Sequence, residues 1–149
     1  MQIFVPICAS ERLITHFGFR QVIGKGAAQI IMPDMSRTGG LTETRKIAAM
    51  ADTYYLPVTC HDVIGPVALW SAAQLMLHIP NGAIEDTSRA NYLGWYGDVV
   101  TVPLPIADGM LLVPNTPGLG IALREDVLNR LDVHVEVSDL QQRYDASRG

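Results

Sequence analysis

The feature of this sequence that most limits its fold is a series of short apolar runs, separated by longer segments of helical character. The runs occupy residues 3–7, 29–33, 56–60 and, more weakly, 82–84. Each run is too short for a helix, and the first two are apolar without alternation, as strands covered on both faces are. Strands that alternate with helices form parallel sheets, so the sequence predicts an α/β fold.

Three helices are predicted between these strands, at residues 15–25, 41–54 and 65–77. The second is entered through a Gly-Gly pair, and the third carries Pro66 in its first turn, where proline is tolerated. One stripe of the second helix is predicted to face the core, and it consists of Leu41, Thr44, Ala48 and Ala51. Strand-helix units therefore fill about residues 1–90.

The rest of the chain, about residues 91–149, is predicted to be a loop-rich tail. Residues 91–120 are rich in glycine, proline and aromatic residues, and their proline-containing stretches cannot be helix interior. A short helix is predicted at residues 124–130. A half-buried strand is predicted where apolar and polar residues alternate, at Val133, Val135 and Val137. With no internal linker, residues 1–149 are interpreted as one domain.

Composition excludes several classes of function. The formal net charge is −4, from 15 acidic and 11 basic residues, and no basic run is dense enough to follow a phosphate backbone, so nucleic acid is not an expected partner. No segment approaches the roughly 20 apolar residues of a membrane span, and the start lacks a secretory signal. We therefore expect a cytoplasmic protein without membrane contact, with Cys8 and Cys60 as buried thiols rather than zinc ligands or a disulfide.

Ionisable residues follow each of the four predicted strands. Glu11 comes soon after the first run, Asp34 and His61 come directly after the second and third, and Glu85 with Asp86 follows the fourth. Taken singly, an acid at a strand end is an ordinary surface charge, and a lone histidine is more often structural. In a parallel barrel, however, the carboxyl ends of all strands open on one face, so these groups are predicted to converge on a site.

Several stretches resemble one known family. Residues 33–43 read PDMSRTGGLTE and closely resemble the sixth-strand motif of the mandelate racemase branch of the enolase superfamily. Residues 5–12 are similar to its fifth-strand segment, and residues 57–62 and 65–67 to its seventh. The segments at 79–81, 89–90, 94–96 and 117–120 resemble the C-terminal part of galactonate-dehydratase-like members. The resemblance covers essentially the whole chain.

The resemblance assigns a role to each candidate residue. It implies that His61 is the general base and that Asp34 is its partner, which would fix the tautomer and stabilise the imidazolium. It implies that Glu11 ligates magnesium, the cofactor. Counting from Pro80-Asn81 places Asp86, rather than Glu85, at the family's eighth-strand glutamate, so that this acid is either one methylene shorter or displaced by one register. Asp86 is assigned a catalytic role and Glu85 a substrate-binding role, and the counting leaves open which of the two fills the family's position.

The resemblance also implies an architecture with parts outside this chain. The expected fold is the C-terminal half of a (βα)8 TIM barrel, strands five to eight, followed by the tail. Magnesium requires several oxygen ligands, and the family supplies two further acids from its third and fourth strands. The segment before Glu11 departs from the family, because Ser10 stands where a glycine is expected and could change the aim of the ligand.

The implied function is that of a magnesium-dependent acid-sugar (aldonate) dehydratase, which acts through α-proton abstraction and an enediolate. The activity is expected to be incomplete in this chain alone. The alternatives are a racemase or epimerase of a 2-hydroxy acid, with a second base on the absent second strand, and an inactive remnant or assembly subunit. The expected partner is a small sugar acid, and the full-length parent is expected to be a homo-oligomer.

Overall fold

A parallel four-stranded sheet forms the centre of the computed structural model, which describes residues 4–102, 104–113 and 115–134. The strands lie side by side in chain order and are β1 (Cys8–Ala9), β2 (Ile30–Ile31), β3 (Val58–Cys60) and β4 (Gly82–Glu85). They are connected by α1 (Thr15–Gly24), α2 (Met35–Thr38), α3 (Leu41–Asp52) and α4 (Pro66–His78). This is the predicted α/β architecture, and consecutive parallel strands are what one portion of a (βα)8 barrel contains.

The first strand lies later in the chain than predicted. The apolar run at residues 3–7 suggested a strand there, but β1 forms at Cys8–Ala9, where Cys8 and Ala9 pair with Ile30 and Ile31 of β2. The reason is that pairing, not hydrophobicity, defines a strand, and the backbone contacts to β2 begin only at the Ile7 carbonyl. The prediction that both cysteines are buried was wrong for Cys8, which is exposed because β1 lies at the edge of the sheet. Cys60 is buried, as predicted.

Two of the predicted helices, now α1 and α3, pack against each other and bury the centre of the core. Phe19 and Ile23 of α1 are buried, as are Thr44, Ile47, Ala48 and Ala51 of α3. The predicted stripe was wrong at Leu41, which is 52% exposed in the first turn, and it omitted Ile47. His16 of α1 also contacts Glu43 of α3, whose carboxylate accepts the His16 backbone N–H at 2.9 Å. That histidine therefore has a structural partner.

The third predicted helix, α4, begins at Pro66 and is hydrophobic on most sides, because it lies between the sheet and the C-terminal segment. Leu69, Trp70, Ala72 and Leu75 are all buried.

Among the residues that the structure describes, none of the helices is both long and apolar enough to traverse a bilayer.

The described part of the tail is loop-rich, as predicted, but it holds elements that the composition did not indicate. These are α5 (Arg89–Leu93), α6 (Tyr96–Val99) and an antiparallel hairpin of β5 (Ile106–Ala107) and β6 (Met110–Leu111). Asp108 and Gly109, both with positive φ, make the hairpin turn. The helix predicted at residues 124–130 is only a 3-10 turn at Val127–Asn129. The predicted strand at Val133 falls largely outside the described residues.

Candidate active site

Asp34 lies where β2 ends and α2 begins. Its side chain caps α2, with Oδ1 accepting the Ser36 backbone N–H at 2.9 Å and the Ser36 hydroxyl as well. Gly39 and Gly40 follow with φ of 115° and 87°, a backbone that favours glycine and lets α3 begin directly after α2. The short helix therefore holds the carboxylate of Asp34 in one orientation, with Oδ2 left for another partner.

His61 supplies that partner. Its Nδ1 lies 3.0 Å from Asp34 Oδ2, and its backbone N–H donates to the Pro33 carbonyl at 2.9 Å. The two residues form a parallel bridge that continues the pairing of β2 with β3. The register of the sheet thus brings together the two residues that the sequence placed 27 positions apart. With the proton held on Nδ1 by the carboxylate, Nε2 is the nitrogen that can accept one.

The environment of Asp34 keeps it ionised. Burial would raise the pKa of this carboxyl, but hydrogen bonds from Ser36 and His61 outweigh burial and hold the pKa below its usual value. Arg37 adds a positive charge, with Nε 3.4 Å from Asp34 Oδ2. An ionised carboxylate on Nδ1 orients the imidazole and stabilises the imidazolium formed when His61 takes up a proton.

Glu85, the last residue of β4, has the opposite character. Both of its carboxyl oxygens are inaccessible to solvent and have no hydrogen-bond partner among the described residues. Burial first, and then the charges of Asp62 and Asp86, raise the pKa of Glu85 to about 9. At neutral pH this side chain is a carboxylic acid, with a proton to donate to a ligand.

Asp86 and Glu11 lie at the ends of the two edge strands, and both are half-buried. The Asp86 backbone N–H donates to the Cys60 carbonyl at 3.0 Å, which fixes it beside β3. Burial, followed by the charges of Asp86 and Glu11, raises the pKa of the Cys8 thiol, so both carboxylates lie within electrostatic reach of β1. Of the five predicted site residues, Asp34 and His61 are in direct contact. No hydrogen bond joins the other three to that pair in the described part of the chain.

Ser10, which precedes Glu11, has the backbone conformation of a glycine. Its φ is 103°, in the region where a side chain is strained, and its buried hydroxyl has no partner among the described residues. The resemblance predicted a glycine at this position, and Ser10 adopts a positive φ of the kind that glycine favours. The position of Glu11 therefore depends on a strained residue.

Ser10→Gly is expected to relieve this strain and to raise the free energy of unfolding by about 1 kcal/mol. Chemical denaturation of the two proteins measures the difference. Ser88→Gly is the matched control, because Ser88 has an ordinary φ of −86° and a glycine there brings no relief. Equal effects of the two substitutions would show that the Ser10 backbone is not strained.

The comparison with known proteins decides the family. Residues 2–127 match the family described as enolase C-terminal domain-like. The chain belongs to the enolase superfamily. Among relatives, it is 41% identical over 124 residues to a D-xylonate dehydratase of Haloferax volcanii, covering 83% of this chain and 30% of that protein. It is 33% identical to a D-galactonate dehydratase of Pectobacterium atrosepticum, covering 85% and 35%.

Solved structures agree with this assignment. An enolase of the mandelate racemase subgroup from Agrobacterium tumefaciens superposes with a TM-score of 0.76 at 42% identity, covering 83% of this chain and 34% of that one. A member of the enolase superfamily from Salmonella Typhimurium gives a TM-score of 0.79 at 31% identity, covering 83% and 32%. The expected fold, a portion of the superfamily's barrel, is confirmed. This chain spans about a third of the length of these relatives.

Members of the enolase superfamily generally bind magnesium, so the fit of this chain to the ion can be tested on its donors. The carboxylate of Glu11 is a suitable type of ligand, because magnesium prefers carboxylate oxygens. In the part of the chain that the structure describes, however, no three His, Cys, Asp or Glu side chains gather to hold a metal ion. Among the described residues of this enolase-superfamily chain, Glu11 is a candidate oxygen ligand, and a magnesium site would need others.

Sequence reasoning missed Asp62, the residue directly after His61. It is 0% exposed, and its carboxylate accepts hydrogen bonds from the hydroxyls of Tyr96 at 2.9 Å and Thr87 at 3.0 Å. The sequence carried no local signal for it, because both donors lie more than 20 positions away. The one available hint was an acid inside a segment that otherwise reads as buried.

Proposed function

We propose that this chain forms the proton-transfer side of an acid-sugar dehydratase active site. The observation that carries the proposal is the 3.0 Å contact between His61 Nδ1 and the buried, ionised Asp34. A carboxylate that orients a partly exposed imidazole is the arrangement of a general base. The similarity to proteins named as D-xylonate and D-galactonate dehydratases supports a sugar acid as the substrate.

His61 would accept the proton from the carbon next to the substrate carboxylate, at Nε2. The reaction is completed when the hydroxyl on the neighbouring carbon leaves with a proton as water, and the enol that remains tautomerises to a 2-keto acid. His61 can serve at either end of this sequence, as the base at the first carbon or as the acid that assists departure of the hydroxyl. Asp34 stabilises the imidazolium in both roles.

The substrate carboxylate gains negative charge as its α-proton leaves. Glu85, protonated at neutral pH, is proposed to donate a hydrogen bond to that carboxylate, and Asp86 is proposed to act as a catalytic acid group beside it. When bound, a magnesium ion would supply electrostatic stabilisation of this negative charge, and Glu11 is the residue of this chain that would hold it. The remaining acidic ligands are proposed to come from barrel strands outside this chain.

The test uses the enzyme assembled with the remaining barrel strands, whether one chain or two supply them. It is incubated with magnesium and a panel of aldonic acids, including D-xylonate and D-galactonate, in deuterated water. We expect a 2-keto acid to form with one of them, detected by a carbonyl reagent, and to disappear when the metal is chelated. Deuterium uptake with inversion at the α-carbon and no loss of water would indicate a racemase or epimerase instead. If neither reaction occurs with any of the acids, the result would support the alternative of an inactive remnant or assembly subunit.

A further inference from the structure

Asp62 is a buried carboxylate outside the proposed proton-transfer pair, and three donors hold it. It is fully buried, and Oδ2 accepts from both Tyr96 and Thr87. Oδ1 receives a longer contact, 3.5 Å, from the Gly65 backbone N–H. A buried carboxylate without donors is strongly destabilising, so these donors are required by its position. None of the roles proposed above uses this group.

The three donors come from three separate segments of the chain. Gly65 precedes α4, Thr87 follows β4, and Tyr96 begins α6 in the tail. Tyr96 is itself fully buried, and its hydroxyl receives a second contact, 3.5 Å, from Asn91 Nδ2 of α5. One carboxylate therefore joins the end of β3 to the end of β4 and to the tail.

The hydrogen-bond network around Asp62 forms just beyond an irregularity in the sheet. The pairing of β3 with β4 changes register between Val58 and Cys60, and beyond this irregularity the bond from the Asp86 backbone N–H to the Cys60 carbonyl joins the ends of the two strands. Asp62 follows His61 directly, and Thr87 follows Asp86 directly. The side-chain bond between Asp62 and Thr87 thus adds a second link between the ends of β3 and β4, next to the proposed base and the β4 acids.

We propose that Asp62, held by Tyr96 and Thr87, is a positioning residue that fixes Glu85 and Asp86 relative to His61 and makes α6 of the tail part of the active site. This inference rests on the proposed function for its catalytic consequence, but not for its structural one. The pKa shifts of Asp62 and Glu85 are consistent with this proposal. Burial raises the pKa of Asp62, hydrogen bonds from Tyr96 and Thr87 oppose that rise, and the nearby charge of Asp62 contributes to the raised pKa of Glu85.

The first test is Tyr96→Phe, which removes the donor and keeps the ring, with Tyr92→Phe of α5 as the matched control. In the assembled enzyme we expect Tyr96→Phe to lower kcat for α-proton exchange about tenfold or more, with KM changed less than about twofold, because misplaced catalytic groups slow the chemical step. Tyr92→Phe should leave kcat near the wild-type value. Equal kcat for the two variants in their folded forms would overturn the proposal, even if Tyr96→Phe melted at a lower temperature.

The second test does not need turnover. The carboxyl carbon of Glu85 is followed by NMR against pH in the chain and in Asp62→Asn. Loss of the neighbouring negative charge should move the titration of Glu85 to lower pH, and an unchanged titration would overturn the placement of Asp62. If the wild-type enzyme exchanges no α-proton with any sugar acid while Glu85 titrates as expected, the proposed function fails and the positioning network stands.

Discussion

His61→Asn is expected to lower the rate of α-proton exchange by about 10² to 10⁴, the range that a positioned general base contributes. Asparagine fills part of the same space and can still donate a hydrogen bond toward Asp34, so the fold should persist. Asparagine has no nitrogen that takes up a proton near neutral pH, so the variant lacks the proton acceptor. Deuterium incorporation at the substrate α-carbon, followed by proton NMR in the assembled enzyme, measures the loss.

His78→Asn is the matched control for this experiment. His78 is exposed at the end of α4, and the same chemical change there should leave exchange within about twofold of wild type. Circular dichroism of both variants separates loss of the base from loss of the fold. Normal exchange in His61→Asn would show that another group takes the proton, and the roles of both His61 and Asp34 would then be wrong.

Phe19→Ala is expected to lower the free energy of unfolding by about 3 to 5 kcal/mol, because it leaves a cavity in the core between α1, α3 and the sheet. The Phe19 side chain is completely buried. Since small domains are stable by only about 5 to 15 kcal/mol, such a loss removes a large part of the total. Urea denaturation followed by tryptophan fluorescence gives the difference.

The same helix supplies the control for Phe19. Phe17, two residues earlier in α1, is 65% exposed, so Phe17→Ala removes the same atoms without opening an interior cavity. Its effect should stay within about 1 kcal/mol. Similar losses in the two variants would mean that α1 does not pack through the face that carries Phe19 and Ile23.

Periodicity and pairing explain which parts of the fold were predictable. The helices α1, α3 and α4 were found within a few residues because their apolar periodicity and the Gly-Gly and Gly-Pro starts are local signals. The position of β1 depends on which backbone atoms meet β2, and no single stretch of sequence contains that information. The β5–β6 hairpin did have a local signal, Asp108-Gly109, which the proline content of the tail concealed.

The candidate site also has parts that were predictable from the sequence and parts that were not. Asp34 and His61 were found because both follow apolar runs, and the regular pairing of β2 with β3 then places their side chains in contact. The protonated state of Glu85 was not predictable, because it results from burial and from charges on other segments. The strain at Ser10 and the network around Asp62 likewise depend on neighbours that the sequence does not place.

The contact between Asp34 and His61 lies inside a single strand-helix-strand unit, from β2 through α3 to β3. Nothing in its geometry requires a side chain from a distant strand. A recombination event, a circular permutation or a gene fusion with its breakpoint outside this unit would therefore carry the proposed base and its partner together. In such rearrangements the proposed proton-transfer pair would be inherited as one piece, and only the other proposed groups, those for the substrate and the metal, would have to be rebuilt around it.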